Sequence, residues 1–245
     1  RTWPHDRDHA RLALGPTIPL HCSDAFWEGC RDLAESEGLA IHCHLAESRV
    51  QRIAGRESYG RSLTRHLDQL GVIGPQFTGA HCIWLEEGDL EILAARGASI
   101  AHNPTSNFRL GSGIADVSAM RRAGVNVGIG SDACSCSDHQ NMFEAMRLAC
   151  FLCRISSPDP DDWVSPGDTL SMATAGGARA LGMAEEIGRL APGYAADLVL
   201  LDLKTTNYMP LNRPVTQIVF CEEGRSVDRV YVAGRKVVED GRILT

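Results

Sequence analysis

Ile41-His42-Cys43-His44-Leu45-Ala46-Glu47 is the stretch whose reading decides the fold. It is a short apolar strand that ends by presenting His44 and, three residues on, Glu47. Later apolar runs end the same way, at Gly79-Ala80-His81, Ile100-Ala101-His102 and Gly128-Ile129-Gly130-Ser131-Asp132. Each finishes on a residue able to bind a metal or move a proton. Strand ends and the loops after them are where α/β enzymes keep their chemistry.

Working outward, strands start near positions 12, 39, 77, 98 and 125, with helical patterns between them. That rhythm is the rhythm of parallel βα units. An open doubly wound sheet accepts five units, whereas a (β/α)8 barrel needs three more upstream. Residues 1–11 read as an irregular lead-in. Ser23-Asp24 caps a helix ending at Gly38, with Phe26, Cys30, Leu33 and Ala34 inward. Further helices are expected over 62–70, 89–96, 117–123 and 139–155, the last with Phe143, Met146, Cys150 and Cys153 inward. Asp168 caps another through Leu181, weakened at Gly176-Gly177 by roughly 1 kcal/mol per glycine relative to alanine. That weakness implies a tight packing contact there. After Gly188 come strands at 198–201, 227–232, 236–238 and 242–244, with turns at Ala233-Gly234 and Asp240-Gly241. These form a small β module appended to the α/β body.

The bulk properties bound the function. The 245 residues are 44% hydrophobic and 22% charged, ordinary for a globular chain. A net charge of −7 disfavours nucleic acid and anionic membrane surfaces. No apolar run is long enough to span a membrane. Of the nine cysteines, Cys43 and Cys82 alternate with site histidines on strands and Cys150 and Cys153 sit in an apolar helical run; they read as small buried hydrophobes in a reducing, cytoplasmic setting. Cys150-x-x-Cys153 has no second pair to complete a structural zinc site.

His44 offers a neutral imidazole and Asp132 a hard carboxylate, donors that suit one zinc or ferrous ion. Catalytic zinc takes about three protein ligands, so two are too few. Glu47 is placed to carry a proton between an activated water and a substrate nitrogen, and His81 to donate a hydrogen bond to the reacting centre. The alternative for a histidine at a strand end is a hydrogen-bonded structural role. That reading is kept for His42, which shares a strand face with His44 and lines the site without being a ligand. His102 is either a support or a substrate contact. His5, His9, His21, His66 and His139 read as surface or loop residues, and Trp84, Ser135 and Ser137 as pocket candidates.

These motifs resemble the amidohydrolase superfamily, in its cytosine-deaminase-like, guanine-deaminase-like and triazine-hydrolase-like branch. The matching stretches are His42-Cys-His44-Leu-Ala-Glu47, Ala80-His81-Cys82, His102-Asn-Pro-Thr-Ser-Asn107 with Leu110-Gly-Ser-Gly113, and Gly130-Ser-Asp132. Gly193-Tyr-Ala-Ala-Asp197-Leu and Val232-Ala-Gly-Arg-Lys-Val resemble that family's C-terminal return to a β-sandwich.

The resemblance implies an α/β (β/α)8 TIM-type barrel, with strands four to eight visible in 1–187 and a β-sandwich portion in 188–245. It makes His44 and Asp132 metal ligands and Glu47 the proton shuttle. His81 contacts the reacting centre, and Asp132 also helps activate the water. It implies one divalent metal ion, zinc first and iron as the alternative. The binuclear branches use a carboxylated lysine on the fourth strand; the two lysines here, Lys204 and Lys236, lie in the C-terminal module. The family's opening HxH pair is not present upstream of position 39. The chain therefore reads as a C-terminal part that needs a missing N-terminal segment or a companion chain. A homo-oligomer is an expectation by resemblance only.

The activity so implied is addition of water, activated at the metal, to a C–N carbon of a purine, pyrimidine or s-triazine, with loss of ammonia. A dechlorinase or alkylamine-releasing triazine hydrolase would use the same addition step. A barrel kept only as a scaffold is the non-catalytic alternative. An open-sheet nucleotide binder is disfavoured, because Leu110-Gly-Ser-Gly113 is followed by no phosphate-binding lysine.

Overall fold

The computed structural model describes residues 10–244. The lead-in over 1–9, with His5 and His9, lies outside them.

Five strands form one parallel sheet in sequence order: β1 (Ala13–Leu14), β2 (Ala40–Leu45), β3 (Phe77–His81), β4 (Ser99–His102) and β5 (Asn126–Ile129). All five were expected from the apolar runs. Among the described residues β1 and β5 are not paired with each other, so these five strands form an open parallel sheet. Along β2 the side chains of Ile41, Cys43 and Leu45 are buried, while Ala40, His42 and His44 occupy the other, more open face.

The crossovers are helical. Helix α1 (Asp24–Glu37) is capped by the Ser23 hydroxyl and closed by Gly38 in the left-handed region. Its inward stripe is Trp27, Cys30 and Ala34. Phe26 and Leu33, expected inward, are exposed; Cys30 and Ala34 keep the expected face, and Trp27 takes the place of Phe26. Burying the Trp27 ring contributes on the order of 2–3 kcal/mol. Helix α2 (Arg49–Tyr59) was not anticipated. Its Val50 and Ile53 face solvent, and its contact with α3 (Leu63–Gln69) is made by Gly55, where a Cβ would stand 2.7 Å from the Leu63 side chain. His66 on α3 is a correction to the surface reading: it is buried, stacked on Tyr59 with ring centroids 3.7 Å apart, and bonded to Asp24 at 2.8 Å.

Helices α4 (Asp89–Ala95), α5 (Pro104–Arg109), α6 (Val117–Arg122), α7 (Cys134–Ser137) and α8 (Met142–Ser156) follow the later strands. α8 starts at the Asn141 cap, which leaves His139 outside the helix and paired with Glu144 at 2.7 Å.

The helix expected over 168–181 is three pieces. α9 (Pro166–Ser171) opens on a capping box of Ser165 and Asp168, a π-helical turn covers Met172–Gly176, and α10 (Gly177–Ala180) follows. The cap is thus Ser165, with Asp168 its reciprocal partner. The expected tight contact is present: a Cβ on Gly176 would lie 2.4 Å from the Val127 carbonyl oxygen. Thr78, Ser99 and Asn126 lie in one row across β3, β4 and β5. The Thr78 hydroxyl donates to the Ala180 carbonyl at 2.8 Å, and Asn126 Nδ2 donates to both the Ser99 hydroxyl and the Gly176 carbonyl at 3.0 Å. A polar row therefore seats this helix on the sheet near the N-terminal ends of its strands.

The C-terminal module is an antiparallel sheet in the order β6 (Leu198–Leu201), β7 (Val227–Val232), β8 (Arg235–Glu239) and β9 (Arg242–Ile243). Both expected turns are there, with Ala233, Gly234, Asp240 and Gly241 all at positive φ. This is one sheet, and no second layer of a sandwich occurs among the described residues. The stretch before β7, read as loop, contains α11 (Pro214–Phe220), whose Pro214 occupies a first-turn position where no amide is required. The amides of Cys221 and Glu222 close α11 on the Gln217 carbonyl, and the buried Glu222 carboxylate holds the turn into β7 by accepting the amides of Glu223, Gly224 and Ser226 at 2.7–3.2 Å. No helix among the described residues is long and apolar enough to cross a membrane.

Candidate active site

Parallel pairing brings the strand ends to one level. Leu45 pairs with His81, Ala80 with Ala101, and His102 with Ile129. His44, His81 and Asp132 consequently converge at the C-terminal edge of the sheet.

At the end of β2, the backbone N–H of His44 donates to the Thr17 carbonyl at 3.0 Å, and its Nδ1 lies 2.7 Å from the same oxygen. A protonated Nδ1 leaves Nε2 as the ring's only lone pair, the arrangement that carbonyl-backed metal-ligating histidines use. The rings of His44 and His81 stack with centroids 5.5 Å apart and planes 17° off parallel.

His81 is 1% exposed and ends β3 in the left-handed region, with φ 71°. Its Nδ1 is 2.7 Å from Asn107 Oδ1, and its Nε2 stands 3.8 Å from Asp132 Oδ2. Asp132 is also left-handed, with φ 59°, as are Ala46 between His44 and Glu47 and Cys82 after His81. Non-glycine residues in this region carry strain of about 1 kcal/mol or more and cluster at working sites. The Asp132 carboxylate takes the Ser106 hydroxyl on Oδ2 at 2.6 Å and the Ala133 amide on Oδ1 at 2.7 Å. Burial pushes its pKa up, but these two bonds and the neighbouring histidines outweigh it and hold the group below the usual carboxylate range.

Glu47 lies half-buried on the loop after β2, its backbone amide held by Gln51 Oε1 at 3.0 Å. Its carboxylate is hydrogen-bonded to none of the described residues. His42 is exposed on the face it shares with His44 and makes no hydrogen bond with a described residue, so the bonded structural role expected for it is not present. His102 is 1% exposed, and neither ring nitrogen has a partner. Burial, aided by nearby His81, pushes its pKa down to about 4, so its ring is neutral at pH 7.

Of the pocket candidates, Ser137 is committed to the fold: its hydroxyl bonds the Ala133 and His139 carbonyls. Ser135 is exposed. Trp84 is tied to both neighbouring loops, its amide to the Ala46 carbonyl at 2.8 Å and its indole to the Ser112 carbonyl at 2.7 Å. Thr17, Ser106 and Asn107 were not anticipated as supports. The last two were legible as polar residues in the stretch that leaves the β4 end. Thr17 acts through its backbone, which no side-chain pattern reveals.

His44 and Asp132 fit a divalent metal in donor type. They supply two donors, and among the described residues no group of three His, Cys, Asp or Glu is arranged to hold an ion.

A family model described as the amidohydrolase family matches residues 5–237. The 5-methylthioadenosine/S-adenosylhomocysteine deaminase of Syntrophobacter fumaroxidans is 37% identical over 236 residues, covering 96% of this chain and 53% of that protein. An adenosine deaminase from Xanthomonas campestris with bound zinc superposes with a TM-score of 0.92 at 32% identity, over 95% of this chain and 53% of that one. Atrazine chlorohydrolase from Arthrobacter aurescens, complexed with zinc, gives a TM-score of 0.90 at 26% identity, over 96% of this chain and 51% of that one. The chain spans about half the length of the curated relatives it matches.

Proposed function

The chain belongs to the amidohydrolase family, and from that membership we propose that the protein is a metal-dependent hydrolase that deaminates a nitrogen heterocycle. Water replaces an exocyclic amino group and ammonia leaves. Adenosine derivatives are the preferred substrate class, in line with the name of the 37% identical relative. The observation that carries the reading is the meeting of His44, His81 and Asp132 at one sheet edge, with His81 5.5 Å from the first ring and 3.8 Å from the carboxylate.

In this reading His44, through Nε2, and Asp132 would supply two of the donors to one divalent metal ion, zinc by preference. The bound metal supplies the Lewis acidity that brings the pKa of water to about 7. Glu47 moves one proton of the attacking water to the ring nitrogen beside the amino-bearing carbon; the second proton of that water passes to the amine, which leaves as ammonia while the new C–O bond becomes a carbonyl. His81, its proton held on Nδ1 by Asn107 Oδ1, turns a bare Nε2 toward the reacting carbon and accepts a hydrogen bond from the O–H added there. Asp132 accepts from the water and orients it. Residues 1–187 form part of a barrel that closes with further strands, and 188–245 part of a sandwich. A cytoplasmic location suits nine cysteines that are all unpaired.

The test is metal content followed by product. Purified protein is assayed for zinc and iron, then for ammonia from 5′-methylthioadenosine, 5′-deoxyadenosine and guanine, and for chloride from atrazine. Zinc with ammonia release supports the proposal. Chloride release without ammonia moves it to the dechlorinating alternative. Metal-loaded protein that turns over none of them sinks the catalytic reading in favour of a scaffold.

A further inference from the structure

We propose that the dipeptide Ser106-Asn107 is the positioning element of the site, one helical turn that sets the direction of His81 and Asp132 together. The proposal rests on the functional reading above for its kinetic consequence, but not for its geometry.

α5 starts immediately past β4, with Pro104 in its first turn, so residues 106 and 107 are carried over the sheet edge between β3 and β5. Both are buried, Ser106 at 0% and Asn107 at 1% exposure. The side chain of Ser106 goes to the β5 side and donates to Asp132 Oδ2 at 2.6 Å. That of Asn107 goes to the β3 side, its Oδ1 2.7 Å from His81 Nδ1. Consecutive residues of one short helix thus grip the two groups that face each other across 3.8 Å.

A purely structural account does not explain Asn107. Its Nδ2 is buried without a partner, which costs stability that an apolar residue of similar size would not incur. His81 also needs an external guide: its backbone is left-handed, so strand geometry does not set its ring direction. An oxygen acceptor at Nδ1 holds the proton on that nitrogen and turns Nε2, the other ring nitrogen, toward Asp132. The 3.8 Å separation follows, because a bare Nε2 and a carboxylate oxygen have no proton to share. Asn107 and Ser106 are positioning residues: they act through His81 and Asp132.

The experiment uses the intact, metal-loaded protein labelled with ¹⁵N-histidine. Variants are Asn107→Leu, which removes the acceptor, and Asn107→Asp, which restores an oxygen in the same place. The His81 ring signal is identified by its loss in His81→Gln. Wild type should show His81 protonated at Nδ1, Asn107→Leu should lose that signature, and Asn107→Asp should regain it. Metal content should stay at the wild-type level throughout. kcat should fall about 10- to 100-fold in Asn107→Leu with little change in KM, and recover in Asn107→Asp.

An unchanged His81 signature in Asn107→Leu overturns the proposal. So does a loss of kcat that Asn107→Asp fails to recover although its ring signal returns. The ring signal needs no turnover. If no heterocycle is deaminated but the signal follows Asn107, the positioning stands and the functional reading fails.

Discussion

Gly128 of β5 lies against Gly177 so closely that a Cβ on Gly128 would stand 3.1 Å from the Gly177 Cα. Backbone meets backbone here, and no flexible side chain can yield. Gly128→Ala should destabilise the protein by about 1–3 kcal/mol, the usual range for overpacking. Gly176→Ala should cost more, because its Cβ would meet the Val127 carbonyl oxygen at 2.4 Å. Urea midpoints at constant slope are the measurement. The double variant should cost less than the sum, since either single change already displaces the same helix.

Glu47→Gln keeps the size of the side chain and removes its ability to take up a proton. If Glu47 is the shuttle, turnover falls about 10²- to 10⁴-fold while metal content and unfolding midpoint stay put. Parallel metal analysis and steady-state kinetics decide it. Loss of metal would instead make Glu47 a ligand.

Asp89 carries a pH dependence that is independent of the site. It is 1% exposed, with the Ser62 hydroxyl on Oδ1 and the Glu86 amide on Oδ2 at 2.8 Å. Burial raises its pKa above 3.8, and these hydrogen bonds only partly offset that. A carboxyl raised in the folded state contributes stability below its unfolded pKa, and that contribution is lost as pH rises through the folded value. Asp89→Asn can satisfy both partners without a charge, giving its amide to the Ser62 oxygen and its carbonyl to the Glu86 amide. The variant should match or exceed wild type in unfolding midpoint at pH 7, and the gap should close near pH 3.5. A variant less stable by the same margin at both pH values would mean that hydrogen bonding outweighs the charge.

The capping box at Ser165 holds the first turn of α9 by reciprocal bonds, and Asp168 is further tied to Arg121. Ser165→Ala should lower stability by about 1 kcal/mol, within the 0.5–2 kcal/mol range of cap losses. Arg121→Ala should do less, because both members of that pair are partly solvated. Chemical denaturation of the two variants ranks them.

The strands and the site skeleton were readable because they rest on local patterns. Each strand is a short apolar run, and each of His44, His81 and Asp132 follows from such a run in register. The misses have physical causes. α2 buries almost nothing but a glycine, so no apolar stripe announces it. Phe26 and Leu33 were assigned to the core on helical spacing, which does not separate Phe26 from Trp27 beside it, and Trp27 is the one that fills the core. His66 reads as polar and is buried, because Asp24 and Tyr59, far off in sequence, give its ring a partner and a stacking face. The π-turn at Met172–Gly176 answers to a contact with β5, and no periodicity within the segment encodes it.

The helix seated by Thr78 and Asn126 has a consequence for engineering. Its demands fall at one end of the strands, while the candidate catalytic side chains leave from the other. A mutational library confined to the loops after β2, β3 and β5 would sample specificity with little risk to folding. One drawn from 174–180 would mostly yield proteins that fail to accumulate. The connection after β4 is the exception: α5 belongs to the chemical end, yet it is buried like core. Loop exchange there should be attempted only with Ser106 and Asn107 carried across unchanged.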